Sequence, residues 1–105
     1  MSNQFKSIQQ VISSYIEISD EEWSYYSSML QIKTLKKKTT ILSEGTICKE
    51  VFFVNSGLLR IYFVDNNGEE KTFHFALEKT FATDYKSFLK EIPSNYSIQA
   101  MEDTE

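Results

Sequence analysis

A series of short apolar segments, separated by turn residues, constrains the fold of this chain more than any other feature. Residues 51–64, VFFVNSGLLRIYFV, contain two apolar runs that are split at residues 55–57 by Asn, Ser and Gly, which favour turns. Residues 65–68, DNNG, are a hairpin signal because Asn and Gly tolerate positive φ. Residues 69–77, EEKTFHFAL, then alternate apolar and polar positions. This pattern predicts antiparallel strands joined by tight turns.

A short helical pattern interrupts these strands at residues 83–94, TDYKSFLKEIPS, and contains the only proline of the chain. Its apolar residues have the i, i+3, i+4, i+7 spacing of an amphipathic helix; they are Tyr85, Phe88, Leu89 and Ile92. Residues 95–101, NYSIQAM, alternate again and predict another strand. The sequence therefore predicts one short helix inserted between two strands.

Two amphipathic helices are predicted before the strands. Six apolar residues form one stripe of the first helix: Phe5, Ile8, Val11, Ile12, Tyr15 and Ile16. Ser19 and Glu22 have the spacing of a capping box and mark the start of the second helix. Trp23, Tyr26 and Leu30 are expected to continue its buried face. Between this helix and the strands, IKTLKKKTTIL is rich in Thr and Ile and predicts an extended segment with a solvated turn.

The length of 105 residues fits one domain. Hydrophobic residues at 41% and aromatic residues at 14% are enough for a packed core. We expect a mainly β fold with helical additions, namely a jelly-roll (double-stranded β-helix) barrel over about residues 31–105, preceded by helices over about residues 4–30. The sequence stops directly after a strand pattern, so we expect further elements of the domain beyond it.

The charge balance excludes some functions for this part of the protein. Fifteen acidic residues against 11 basic ones give a net charge of −4, whereas a nucleic-acid-binding domain is usually basic. The basic cluster Lys36, Lys37 and Lys38 is interpreted as a solvated edge, with binding of an anion or a partner as the alternative. A single cysteine and the lack of a long apolar segment predict a cytoplasmic protein without a membrane partner.

No constellation of residues predicts catalysis. A metal site in a jelly roll needs two or three histidines, and His74 is the only one in the chain. We interpret His74 as a surface or edge residue and Cys48 as a half-buried structural thiol. The acidic residues 20–22 suit a helix N-terminus. The chain is therefore expected to be no enzyme and to hold no metal; a cupin-like enzyme is disfavoured by the lone histidine.

The segment ILSEGTICKEVFFVNSGLLRIYFVDNNGEEKTFHFAL carries a family resemblance. Through it, the chain resembles the N-terminal cyclic-nucleotide-binding-type domain of the Crp/Fnr family of transcription regulators. The resemblance rests on a turn at Gly45, a strand pair around Gly57 and the hairpin at Gly68. It implies a cyclic-nucleotide-binding-domain fold over nearly the whole chain.

The resemblance also places the inserted helix at the phosphate-binding cassette. In cyclic-nucleotide-binding members, a Gly-Glu pair begins this helix and an Arg further on neutralises the phosphate. Here Thr83 and Asp84 stand at the Gly-Glu positions, and Ser94 or Asn95 stands at the position of the Arg. Tyr85 follows at the first helical position. Asp84 is expected either to cap the helix or to bind a sugar hydroxyl.

The glycine of the turn that precedes the cassette is replaced as well, by Lys79.

The resemblance implies an effector-sensing domain that binds an unidentified small molecule without a cofactor. DNA binding would belong to an absent C-terminal helix-turn-helix domain, and a dimerisation helix would make the full regulator a homodimer. The alternative is a domain that binds cyclic AMP or cyclic GMP through altered phosphate contacts. A structural interaction module that packs against a partner is a further possibility.

Overall fold

The computed structural model describes residues 5–105. The chain divides into two compact units, Met1–Lys33 and Thr34–Glu105, and each is described by itself. No described helix is both long enough and apolar enough to span a bilayer.

The first unit contains two helices, α1 (Lys6–Tyr15) and α2 (Asp20–Ser27), as predicted; position 4 lies outside the described residues. Ile8 of the predicted stripe is buried, but Tyr15 is 84% and Ile16 59% exposed. The stripe is shorter than predicted because the helix ends at Tyr15, and Ile16 is already in an extended conformation.

The predicted capping box is confirmed at the start of α2. The Ser19 hydroxyl accepts a hydrogen bond from the Glu22 backbone N–H at 3.1 Å, and the Ser19 backbone N–H donates to Glu22 Oε1 at 3.0 Å. These two bonds satisfy N–H groups that have no partner within the helix. Trp23, Tyr26 and Leu30 are half-buried rather than fully buried.

The second unit is built from short strands. They are β1 (Thr40–Leu42), β2 (Phe52–Phe53), β3 (Leu59–Val64), β4 (Glu70–Ala76), β5 (Phe81–Ala82) and β6 (Ser97–Ala100), with helix α3 (Tyr85–Lys90) between β5 and β6. One sheet has the order β1-β6-β3-β4, the other pairs β2 with β5, and every pairing is antiparallel. The predicted mainly β class with helical additions is confirmed. The expected closure is not found, because β1 and β4 are the two edges of an open sheet in the part of the chain that the structure describes.

The predicted hairpin connects β3 to β4. Asp65 N–H donates to Glu69 O at 2.9 Å, and the Asp65 carboxylate accepts from the N–H groups of Asn67 and Glu69. Gly68 has a φ of +80°. A bulge at Ile61/Tyr62 shifts the register of the two strands. His74 on β4 is exposed, as predicted.

The segment before β1 is extended with a solvated turn, as predicted. Leu35 forms an isolated bridge with Thr104, and Thr39 N–H donates to Lys36 O at 3.0 Å across the turn. All three lysines of the basic cluster are exposed.

The strands on either side of Gly57 do not pair with each other, which corrects the expected strand pair. β2 pairs with β5, whereas β3 pairs with β4 and β6. The backbone between them is instead bonded to the last residues of the chain: Asn55 N–H donates to Glu105 O at 2.8 Å, and Glu105 N–H donates to Ser56 O at 2.9 Å. This third segment occupies the turn, so the two strands cannot close as a hairpin.

Gly57 allows this close approach. Its φ is +101°, and a Cβ added to it would lie 2.7 Å from both Asp103 O and Thr104 Cα. Thr104 is buried and its hydroxyl accepts a hydrogen bond from the Leu58 N–H at 3.2 Å. The backbone contact at Gly57 thus brings residues 103–105 against the start of β3.

The core of the second unit consists of small and branched apolar side chains. It contains Leu42, Cys48, Val54, Leu59, Ile61, Ala76, Ala82, Ile98 and Ala100. Cys48 is 2% exposed and so is more deeply buried than predicted. A thiol at this depth behaves as a small apolar side chain.

Gly57→Ala is expected to destabilise the protein much more than Gly68→Ala. Both residues have positive φ, so each alanine brings a strain of about 1–2 kcal/mol. A Cβ at position 68 meets nothing within 4 Å, whereas at position 57 overpacking adds about 1–3 kcal/mol. Urea denaturation of the two variants measures the difference. Equal losses of unfolding free energy would contradict the close approach at Gly57.

The capping box is expected to be sensitive to acid. Hydrogen bonds from the backbone and then the side chain of Ser19 lower the pKa of Glu22 below its ordinary value of 4.5. A lowered pKa means that the stabilisation of α2 by this carboxylate is complete above pH 4.5 and is lost as the pH falls through the folded-state value. An NMR titration should give a Glu22 midpoint below 4.5, with the Ser19 amide shift following it.

The control is Glu22→Gln, which keeps an acceptor for the Ser19 amide but removes the charge. This variant should lose the Ser19 titration step. A Glu22 midpoint at or above 4.5 in the unaltered protein would disprove the proposed stabilisation.

Candidate functional site

Helix α3 is the central element of the candidate site, and it lies where the sequence predicted a helix. Its N-cap is Asp84, whose Oδ1 accepts from the Ser87 N–H at 3.3 Å. The helix is six residues long, and its C-cap Glu91 adopts a left-handed conformation with φ +56°. An aspartate at the N-cap satisfies an N–H group that has no partner within the helix.

The apolar stripe of α3 is exposed. Tyr85 is 63%, Phe88 37% and Leu89 72% exposed, and the buried residue of the helix is Ser87. The spacing of the apolar residues therefore predicts the helix, but the helix packs through a hydroxyl group. Nothing in the spacing indicates that the inward position is polar.

Asp84 and Ser94 are in direct contact. The Ser94 hydroxyl donates to Asp84 Oδ2 at 2.6 Å and accepts from the Tyr96 N–H at 3.0 Å. Both carboxylate oxygens of Asp84 thus have a donor within the chain, since Ser87 N–H occupies Oδ1. Ser94 is only 2% exposed, so the contact lies away from solvent on the serine side.

Thr83 and Ser87 connect α3 to the segment that precedes β2. The Thr83 hydroxyl donates to Glu50 O at 3.0 Å and lies 3.4 Å from Cys48 Sγ. The Ser87 hydroxyl accepts from the Cys48 N–H at 2.8 Å and donates to Ile92 O at 2.6 Å. Four neighbouring polar contacts therefore hold the N-terminal half of the helix and the segment that follows it.

The structure thus brings together only some of the residues that the resemblance indicated. Asp84 and Ser94 are bonded to each other, and Thr83 is bonded to a neighbouring segment. Tyr85 and Asn95 are exposed. Ser87 was not predicted; its only sequence signal is a serine three positions after a capping aspartate, which is common at helix starts.

An open cleft of about 310 Å³ adjoins this network. Residues 40–43 and 46–50 line it together with Phe52. Cys48 belongs both to its wall and to the contacts below α3. Within residues 5–105, no three His, Cys, Asp or Glu side chains are grouped so that they could hold a metal ion.

The turn before β5 has a geometry that normally requires glycine. Thr80 N–H donates to Leu77 O at 3.2 Å, and Lys79 at the third position of the turn has φ +66°. This is the arrangement of a type II turn, in which glycine is favoured at that position. Lys79 N–H also donates to Val54 O at 2.7 Å, which ties the turn to the end of β2.

Comparison with protein families identifies this arrangement of strands around a short helix. The model of the cyclic nucleotide-binding domain matches residues 32–105. The chain belongs to the cyclic nucleotide-binding domain family. The predicted resemblance is therefore confirmed at the level of the domain, and the match includes α3 and the residues bonded to it. No curated protein sequence matches the chain.

Solved structures of the same fold include regulators and isolated domains. A catabolite activator protein from Thermus thermophilus is 23% identical with a TM-score of 0.74, over 86% of this chain and 42% of that one. A cyclic nucleotide-binding domain from Methylobacillus flagellatus is 18% identical with a TM-score of 0.82, over 95% and 57%. The sensor domain of the transcriptional regulator DNR from Pseudomonas aeruginosa is 17% identical with a TM-score of 0.75, over 98% and 71%. These likenesses show a shared fold.

The present chain spans less than half of the Thermus thermophilus protein, 42% of its length.

Lys79→Gly is expected to stabilise the protein. Glycine relieves the left-handed strain of about 1–2 kcal/mol at a cost of about 0.5–1 kcal/mol in chain entropy, which leaves a gain of up to about 1.5 kcal/mol. Lys79→Ala is the matched control, because it removes the charged side chain but keeps the strained Cβ. Chemical denaturation of both variants measures the gain. A glycine variant that is no more stable than the alanine variant would disprove the strain at this turn.

Proposed function

We propose that this chain is the effector-sensing, non-catalytic domain of a Crp/Fnr-type bacterial transcription regulator. The family match over residues 32–105 supports this proposal, as do the similar folds of the catabolite activator protein and of the DNR sensor domain. DNA binding would reside in sequence outside the 105 residues, in keeping with the net charge of −4. The full regulator would be a homodimer in the cytoplasm.

The contact between Asp84 and Ser94 carries the proposal about the effector. The resemblance assigns Asp84 to the position that holds the sugar of a cyclic nucleotide, and Ser94 or Asn95 to the position that holds its phosphate. A serine brings no positive charge to a phosphate, and its hydroxyl is already bonded to Asp84. Losing one charge-assisted hydrogen bond costs about 1.5–3 kcal/mol, or roughly tenfold to 150-fold in affinity. The effector of this domain would therefore be a small molecule other than cyclic AMP.

A second candidate function is cyclic-nucleotide binding through altered contacts, and the family match itself favours it. Asp84 would bind the ribose, and backbone amides of α3 would bind the phosphate. The Asp84 carboxylate would accept the sugar hydroxyl beside the Ser94 hydroxyl or in its place. The two candidates thus differ in what Asp84 contacts when a nucleotide is present.

The non-catalytic part of the proposal rests on the surroundings of the two reactive side chains. Cys48 is buried, and its Sγ lies 3.3 Å from Glu50 O and 3.4 Å from Thr83 Oγ1. His74 is exposed on β4. A cysteine nucleophile is activated by a neighbouring base or cation, and the contacts of this thiol are to a carbonyl and a hydroxyl.

Calorimetric titration with cyclic AMP and cyclic GMP separates the two candidates. For the effector-sensing proposal we expect no saturable heat up to about 1 mM nucleotide, a limit of about 4 kcal/mol of binding free energy. Asp84→Ala serves as the matched variant, with circular dichroism as the check on its fold. Binding of the unaltered protein at micromolar nucleotide, with loss of that binding in Asp84→Ala, would overturn the leading proposal and establish the second.

The sequence beyond residue 105 tests whether this domain belongs to a transcription regulator. Translation of the gene beyond codon 105 should give a long helix followed by a helix-turn-helix, and the full product should retard an operator fragment in a gel. A gene that ends at Glu105 would overturn this part of the proposal.

A further inference from the structure

We propose that hydrogen bonds within the chain fix α3 in place without any ligand, and that Asp84, Ser87 and Ser94 are the positioning residues. We call these three residues the α3 clamp. The inference rests on the proposed function only in treating α3 as the helix beside the effector position. It concerns what holds this helix, whichever molecule the domain senses.

Hydrophobic burial accounts for only part of the position of α3. The helix has six residues, and a helix this short is not stable by itself in water. Its tertiary contacts must therefore fix it. Yet Tyr85 and Leu89 are more than 60% exposed, and Phe88 is 37% exposed. The one fully buried residue of α3 is Ser87, at 1% exposure, so the fully buried contacts of the helix are polar.

Ser87 joins three separate segments. Its hydroxyl accepts from the Cys48 N–H and donates to Ile92 O, while its backbone N–H donates to Asp84 Oδ1. One side chain therefore links the segment before β2, the body of the helix and the segment after it. Because this hydroxyl is buried, removing it leaves the Cys48 N–H without that acceptor, which costs more than an exposed hydrogen bond.

Ser94 lies in the segment after α3 and is bonded to Asp84, the residue that caps the start of the helix. Its hydroxyl donates to Asp84 Oδ2 at 2.6 Å, a short bond to a carboxylate. Its backbone pairs with the loop that follows β1: Ser94 N–H donates to Thr46 O, and Gly45 N–H donates to Ser94 O, both at 2.8 Å. Ile47 and Pro93 form a bridge beside them. The clamp thus connects α3 to the loop at residues 45–48.

The clamp predicts how the domain responds to a molecule. A ligand shifts a conformational equilibrium only by its difference in affinity between the two states. Since α3 is already held by chain contacts, a ligand that leaves the clamp intact cannot order the helix further. A molecule that takes the place of the Ser94 hydroxyl on the Asp84 carboxylate would release α3 rather than fix it.

Amide hydrogen exchange, followed by NMR, tests the clamp. In the ligand-free protein, the amides of Cys48, Ser87 and Phe88 should be protected. In Ser87→Ala we expect the Cys48 and Phe88 amides to exchange at least tenfold faster, while the Ile61 and Ile98 amides of the central strands are unchanged. Alanine has a higher helix propensity than serine, so an effect of propensity alone would slow the exchange of α3. Ser56→Ala, at an exposed position, is the control and should change none of these rates.

Ser94→Ala should also accelerate exchange of the Ser87 and Phe88 amides at least tenfold, because Asp84 loses the partner that orients it. In Ser87→Ala/Ser94→Ala the Phe88 amide should exchange no more than about threefold faster than in either single variant, since both residues belong to one network. Exchange rates within twofold of the unaltered protein in both single variants would overturn the inference. So would a double variant in which the two effects multiply.

If Ser94→Ala also lowers protection in β3 and β6, Asp84→Thr decides. Threonine keeps an N-cap oxygen for the Ser87 amide but has no second oxygen for the Ser94 hydroxyl to reach. Faster exchange at the Phe88 and Ser94 amides, with β3 unchanged, supports the clamp, and unchanged exchange at both overturns it. The calorimetric result is independent of this test. Micromolar nucleotide binding would overturn the leading function, whereas the exchange rates of the ligand-free protein alone decide whether the clamp holds α3.

Discussion

The antiparallel pairing of β3 with β6 is the constraint on which the second unit depends. Leu59 faces Ala100 and Ile61 faces Ile98 across this pair, and Ile98 and Ala100 have no exposed surface. β1 then pairs with the free side of β6, and β4 pairs with the free side of β3. Because β6 begins three residues after Ser94, its position also determines where the polar contacts of α3 can form. The position of the candidate site therefore depends on the pairing of β3 with β6.

Much of this fold is predictable because its signals are local. The capping box at Ser19 and Glu22, the hairpin at residues 65–68 and the helix after Asp84 each depend on neighbouring residues, and the structure has all three. The strand pair around Gly57 was predicted wrongly because the partner of that turn is Glu105, about 50 residues away. Turn residues indicate where the backbone bends, but they do not identify the segment that is hydrogen-bonded to the turn.

The candidate site was only partly predictable for the same reason. The resemblance indicated positions 83, 84, 85, 94 and 95, yet it gave no sign that Asp84 and Ser94 are bonded to each other. A bond between side chains ten positions apart depends on how α3 and β6 are placed, and no residue spacing encodes it. Ser87 was overlooked because a serine opposite an apolar stripe normally predicts a solvent-facing position. Here the stripe faces solvent and the serine is buried.

Strand β4 gives the domain a distinctive edge. Six of its seven residues are exposed, Phe73 at 62% and Phe75 at 44% among them, and among the described strands it pairs only with β3. A long edge strand with apolar side chains offers its free backbone groups to other chains. At one end of this edge, Lys71 lies 3.3 Å from Glu69, and charged residues disfavour pairing with another chain. In the residues described, the aromatic end of the edge has no such charge pair. Among the described strands, this edge, on the far side of the sheet from β1, is thus the place where another chain could add a strand.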